Sequence, residues 1–297
     1  MSTMSTKLNK DGRHIVPMDL SFRQRYWSAL TAPIRPPAKT VAQVVDITRE
    51  ANNVLLLGAT PEYALALLEK GRKRITVVDC DPLSLSMMRS YAGKSWRQRI
   101  HSVEAEWLSW CEAKPDVFDA VVMDCGLLFI SPNEYPRFWS SVAAVLKGPE
   151  AFFVSRQFVK GTQLECRKVW LDSYRRLPKR TALSSILLTN TIIAARYGEE
   201  AVSYPRLQRL GSWTLAKLKP SRLPSGESVV AEMIERFLHL DVSSTDFLPP
   251  MKTFPKVADM CNDVKQVFQE VSVSPIDALP RTYQRLVCAC KRRSSAG

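Results

Sequence analysis

The 297-residue sequence is poor in the features that usually announce a class of protein. It has only 11 glycines and 3 histidines. Its apolar runs all fall far short of the 18 or so residues that a membrane-spanning helix needs, so no membrane partner is expected. The opening stretch, MSTMSTKLNKDGRH, has no apolar core of the kind a secretory signal carries. The 7 cysteines are odd in number and scattered, and His14, His101 and His239 lie apart from them. That usage speaks against a disulfide framework and for a reducing, cytoplasmic setting. Cys288 and Cys290 share one face of an expected strand, but no second ligand pair exists, so they read as small core residues rather than half of a zinc site.

What is present begins with charge. The formal net charge is +13, and it is uneven: from Arg156 to Arg222 there are 14 Lys and Arg against 4 Asp and Glu. Such a segment attracts nucleic acid, phosphorylated small molecules or an acidic partner, or is simply a solvated basic surface.

The chain is organised around Asn53–Pro82. Val54–Leu57 is a short apolar run ending at Gly58, as a strand buried on both faces of a parallel sheet reads. Gly58-Ala59-Thr60-Pro61 is a turn, and Glu62–Gly71 has Leu65, Leu67 and Leu68 at helical spacing before a glycine stop. Ile75–Val78 is a second strand that ends in Asp79-Cys80-Asp81-Pro82, with Asp79 21 residues after Gly58. This βαβ unit sets backbone N–H groups beside one part of a nucleoside ligand and a carboxylate where it can take both ribose hydroxyls.

The alternation continues. Further strands are expected at Ile100–Val103, Phe118–Met123 and Ala151–Val154, and helices at Leu83–Tyr91 and Tyr135–Leu146. Ahead of the unit, Thr40 is expected to cap a helix over Val41–Arg49. Beyond residue 160 the rhythm breaks. Val229–Leu240 and Val257–Phe268 read as helices, and Glu270–Val273 and Arg285–Cys290 as two final strands. The expected organisation is a disordered tail over 1–18, N-terminal helices over 19–50, a Rossmann-like core over 51–160, a basic segment over 161–250 and a closing helix and strand pair over 251–297.

A glycine turn after strand one, an acid after strand two, Glu106-Trp107 after strand three and Asp124 after strand four make an ordered series. It resembles the class I S-adenosylmethionine-dependent methyltransferases over roughly residues 40–160. The resemblance implies an α/β, doubly wound sheet of seven strands whose last strand is inserted antiparallel. It implies S-adenosylmethionine as cofactor, held by Gly58, Ala59, Thr60, Asp79, Cys80, Glu106, Trp107 and Asp124. Asp81 competes with Asp79 for the ribose, its other role being a helix cap. Glu62 either meets the ammonium of the methionine tail or complements a helix N-terminus. Trp107 is a stacking face or core packing. Asp124 is the expected catalytic group, orienting or deprotonating an N–H or O–H acceptor, with a second cofactor contact as its other role. Tyr26 and Trp27 would lid the site or sit in a core, and Tyr135 and Arg156 are candidate acceptor contacts.

Departures from the family pattern are equally plain. The loop has Gly58 alone, Pro61 has no N–H to give, and Leu55, Leu56 and Leu57 stand where strand one often carries an acid. No Asp…Asp-Asn set of the metal-dependent O-methyltransferases is seen, so no metal is expected. The leading expectation is methyl transfer to a small-molecule acceptor, anionic or phosphorylated if the basic segment contributes, with a homodimer left open. An RNA methyltransferase, a nicotinamide dehydrogenase and a catalytically silent relative are the alternatives. Against RNA stand the lack of a recognisable RNA-binding module and of an Asn/Asp-Pro-Pro-aromatic tetrad after strand four, where the chain reads Asp124-Cys125-Gly126-Leu127.

Overall fold

The structure, a computed structural model, describes residues 7–8, 14–15, 20–29, 35–71, 74–94, 98–114, 117–159, 256–276 and 284–291. The chain divides into two compact units, Met1–Arg35 with Leu164–Met251, and Pro36–Gln163 with Lys252–Gly297. In the first, β1 (Lys7–Leu8) pairs antiparallel with β2 (His14–Ile15), inside the stretch expected to be disordered. It also contains α1 (Leu20–Ala29), where the Arg35 guanidinium lies 5.9 Å from the centre of the Trp27 ring, a cation–π contact. The basic segment from residue 160 onward and the helix expected at Val229–Leu240 lie outside the described residues.

The second unit is built on a sheet of seven strands. In chain order it runs α2 (Ala38–Ile47), β3 (Asn53–Leu57), α3 (Pro61–Glu69), β4 (Arg74–Asp79), α4 (Pro82–Tyr91), β5 (Ile100–Glu104) and α5 (Trp107–Glu112). It continues through β6 (Ala120–Asp124), the short 3-10 turns Gly126–Phe129 and Pro132–Glu134, α6 (Tyr135–Val145), β7 (Phe152–Phe158), α7 (Val257–Val267), β8 (Phe268–Pro275) and β9 (Gln284–Lys291). The spatial order is β5-β4-β3-β6-β7-β9-β8. β3 to β7 are mutually parallel, while β9 lies antiparallel between β7 and β8. The seven-stranded sheet with its reversed last strand is therefore the one expected.

The continuous apolar runs of β3 and β6 are explained by their place. Both are central and covered on both faces, so every residue from Val54 to Leu57 and from Ala120 to Met123 is buried. On one face α5, α6 and α7 pack Leu108, Phe138, Trp139, Met260 and Val264 over Leu55, Leu57, Val121 and Met123. Trp139 anchors that layer, meeting Phe138 at 4.9 Å and Phe153 at 5.2 Å edge to face. On the other face α2, α3 and α4 pack Val44, Tyr63, Leu67 and Leu85 over Val54, Leu56, Val77 and Val122.

Two local expectations need correction, and one helix was not foreseen. Thr40 does not cap the helix at 41. α2 begins at Ala38 after Pro37, and Thr40 sits inside its first turn, fully buried. The residues after β5 start a helix that the short sequence WLSWCE did not disclose. β7 runs on to Phe158, so Arg156 lies within the strand rather than at its end.

Candidate functional site

β3 has β4 on one side and β6 on the other, so the chain leaves its two halves in opposite directions at this point. In open α/β sheets ligands bind in the crevice outside the carboxyl ends of such strands. Gly58 follows β3, Asp79 ends β4, Trp107 begins α5 and Asp124 ends β6, so the sheet brings the sequence candidates to one edge.

The turn after β3 is closed by its own hydrogen bonds. Gly58 adopts a φ of +91°, open to glycine without strain, and donates its N–H to the Val78 carbonyl at 2.9 Å. The Ala59 N–H donates to Asp79 Oδ2 at 2.8 Å, and the Thr60 N–H turns back to the Gly58 carbonyl at 3.0 Å. Pro61 has none. The donors that were expected to meet a ligand carboxylate are thus all engaged within the protein. Asp79 does more than face the crevice, since its Oδ1 also accepts from the Asp81 N–H at 2.9 Å. It is half-buried, with the carboxylate joining the turn after β3 to the end of β4. Asp81 takes the cap role: it accepts from the Leu83 N–H at 3.0 Å and the Ser84 hydroxyl at 2.6 Å at the head of α4. Cys80 is exposed between them, its thiol pushed upward by burial and then by the Asp79 charge.

Glu106 likewise acts as a cap, accepting from the Ser109 N–H at 3.0 Å. Trp107 is fixed across the crevice. Its indole N–H donates to the Val78 carbonyl at 2.8 Å, the same oxygen that receives the Gly58 N–H. A Cβ on Gly58 would lie 3.4 Å from the indole, and one on Gly126 would lie 3.0 Å from it. The ring therefore rests against both turns, and the missing side chain at Gly126 makes room for it.

On the β6 side the picture differs. Asp124 and Arg156 are register partners on adjacent parallel strands. They form a bidentate pair, Nε to Oδ1 at 2.5 Å and the terminal nitrogen to Oδ2 at 2.8 Å, with side chains only 1% and 7% exposed. Burial alone would lower the Arg156 pKa, but the charge and hydrogen bonding of Asp124, with smaller help from Cys125 and Tyr63, together outweigh it and hold the guanidinium ionised. Cys125 then bends the chain in the left-handed region, φ 57°, with its N–H on the Arg156 carbonyl at 2.7 Å. Tyr63, on the first turn of α3, is fully buried on the same face of the sheet. Its phenol is pushed well above the ordinary value by burial and then by Asp124, with Arg156 opposing. Its hydroxyl is buried and has no hydrogen-bond partner among the described residues. Sequence reasoning missed it because an aromatic at helical spacing reads as core.

Two candidate acceptor contacts need revision. Arg156 is an internal ion-pair partner, not a residue at a strand tip. Tyr135 is buried, its hydroxyl donating to the Leu127 carbonyl at 3.3 Å, so it braces the turn after β6. Tyr26 and Trp27 fall on α1 of the other unit. Among the described residues no group of three or more His, Cys, Asp or Glu could hold a metal ion, and no helix is long and apolar enough to cross a membrane.

No protein-family model matches the sequence, and no curated protein matches it. Solved structures do share its fold. A protein assigned as a zinc-dependent alcohol dehydrogenase from Rhodobacter sphaeroides aligns with a TM-score of 0.53 at 11% identity, over 91% of this chain and 98% of its own. The PH0226 protein from Pyrococcus horikoshii OT3 aligns with a TM-score of 0.51 at 12% identity, over 93% of this chain and 100% of its own. S-adenosylmethionine-dependent methyltransferases recur among the similar structures, SibL for example, with a TM-score of 0.47, 14% identity and 86% of this chain covered. The chain spans 55% of SibL's length. At these identities the likeness is one of fold.

Proposed function

We propose that the chain is an S-adenosylmethionine-dependent methyltransferase acting on a small-molecule acceptor. The observation that carries this reading is Asp79, whose carboxylate sits at the end of β4 and grips the turn after β3 through the Ala59 N–H. It stands in a sheet whose reversed β9 sets the topology apart from the all-parallel six-stranded sheet of dinucleotide-binding dehydrogenases. The cofactor fits the residues at this edge. Asp79 would take the ribose and the half-buried Trp107 face would take the adenine. S-adenosylmethionine supplies an already activated methyl group, so the protein's work is alignment and exclusion of water. Asp124, locked to Arg156, acts in this reading as a positioning carboxylate rather than as a free base.

The RNA alternative loses one of its residues. Arg156, the first cation of the basic segment, is buried in an ion pair and adds nothing to a surface patch. Calorimetric titration of the purified chain with S-adenosylhomocysteine, with NADP as control, tests the assignment. Micromolar binding of the first alone is expected, and Asp79→Ala is expected to weaken it about tenfold, as loss of one charge-assisted hydrogen bond does. Binding of NADP instead would turn the reading to a dehydrogenase.

A further inference from the structure

Trp107 belongs to the connection after β5, yet its ring lies over the ends of other strands. In the order β5-β4-β3-β6, its indole N–H reaches the Val78 carbonyl near the end of β4, at 2.8 Å. The six-membered ring goes further, to the turns after β3 and β6. A Cβ on Gly58 would lie 3.4 Å from its Cζ2, and one on Gly126 would lie 3.0 Å from its Cζ3. Neighbouring strands are about 4.8 Å apart, so a ring that meets all three has crossed the carboxyl ends of β4 and β3. That is the switch point, where an open α/β sheet takes its ligand. The ring lies so close to both turns that no ligand group passes between them. The turn after β3 is shut as well, since Gly58, Ala59 and Thr60 give their N–H groups to Val78, Asp79 and Gly58.

We propose that the Trp107 indole is an internal stopper of the nucleoside crevice, and that the nucleoside binds only when the ring leaves its seat between Gly58 and Gly126. This rests on the methyltransferase reading above. The seat is specific, because it satisfies the indole N–H and uses two positions that lack a side chain. It is also lightly held. One neutral hydrogen bond fastens it, to a carbonyl that already receives the Gly58 N–H, and the ring is only partly buried against the core. The seated and withdrawn forms are then two populations that the ligand distinguishes. The apparent affinity is the intrinsic one reduced by the fraction withdrawn. A withdrawn ring uncovers the edge between Asp79 and Asp124 and keeps an aromatic face for the base.

Titration calorimetry with S-adenosylhomocysteine as probe compares wild type, Trp107→Phe and Gly126→Ala. The phenyl ring of the first variant has no N–H for Val78 but still offers an aromatic face. Binding is expected to tighten about fivefold, the worth of one neutral hydrogen bond removed from the seated form. Gly126→Ala keeps the tryptophan and presses on its seat from the β6 side. It is expected to tighten binding in the same direction, and it keeps the inference testable should Trp107→Phe fail to fold. Binding by the variants with none by wild type would support the inference most strongly. Equal affinity in all three proteins overturns it and leaves the cofactor reading intact. Weaker binding by Trp107→Phe overturns it too, because the seated ring would then be a fixed platform for the base rather than an obstacle. If none of the three binds, the cofactor reading falls and the inference with it.

Discussion

The two walls of the crevice are built on opposite plans. On the β3–β4 wall the charged group is half-buried and grips backbone: Asp79 accepts from the Ala59 and Asp81 N–H groups. On the β6–β7 wall the charged group is buried and grips another side chain, Asp124 on Arg156. The first arrangement uses a carboxylate to shape a turn and leaves it beside solvent, where a ligand hydroxyl can compete for it. The second takes two charges out of water, a configuration that is stable only while both are present. The difference is one of kind: one wall can exchange its partners with solvent, while the other holds only as a pair.

Removing half of the fixed wall gives the largest expected effect. Arg156→Met leaves Asp124 buried without its counter-charge and is expected to cost about 3–5 kcal/mol in urea denaturation. The double variant Arg156→Met with Asp124→Leu is expected to recover most of that loss. If the single variant costs under about 1 kcal/mol, as exposed pairs do, the walls are not different in kind.

The glycines sharpen the contrast at intermediate size. Gly58→Ala places an ordinary contact against Trp107, so its cost is the left-handed backbone alone, about 1–2 kcal/mol. Gly126→Ala brings a methyl to 2.3 Å from the Met123 sulfur and 3.0 Å from the indole, so its cost is displacement of packed side chains, about 1–3 kcal/mol. The Trp107 indole is expected to move in the second variant only, which a shift in fluorescence emission would register, with a Trp107→Phe background assigning the signal. Equal spectra would mean that the ring is not wedged between the turns.

The smallest effect is expected away from both walls. Glu112 and Arg137 form a bidentate pair on the exposed faces of α5 and α6, at 2.6 and 2.7 Å. The hydrogen bond from Arg137 lowers the Glu112 pKa from its ordinary 4.5. Its contribution is therefore present above that value and is lost as pH falls through the depressed one. Glu112→Gln is expected to leave the melting temperature at neutral pH almost unchanged, and to reduce slightly its fall below pH 4.5.

Most of the sheet was legible because central parallel strands must be apolar throughout, and Val54–Leu57 and Phe118–Met123 are. The register of Asp79 was legible too, since a βαβ unit fixes the distance from glycine to acid. What escaped detection was partnership. Nothing in a one-dimensional pattern says that the N–H groups after Gly58 are already engaged, that Glu106 caps α5, or that Asp124 and Arg156, 32 positions apart, face each other. Thr40 misled because a threonine ahead of valines looks like a cap, while Pro37 had already begun the helix. Tyr63 escaped notice because its ring belongs to the core and only its hydroxyl, buried without a partner among the described residues, departs from that reading.

The reversed strand has a consequence for how the molecule is made. β7 finishes at Phe158, but its partner β9 is not available until the ribosome has passed Gln284. Until then the nascent chain presents an unpaired central edge, FFVSRQF, aromatic at three of its seven positions. The remaining parallel strands can assemble during synthesis, but completion of the sheet waits for a pairing of long sequence separation, the slowest kind. That interval is when this protein is most exposed to self-association. A chaperone that shields strand edges would act there, after the parallel part of the sheet is already in place.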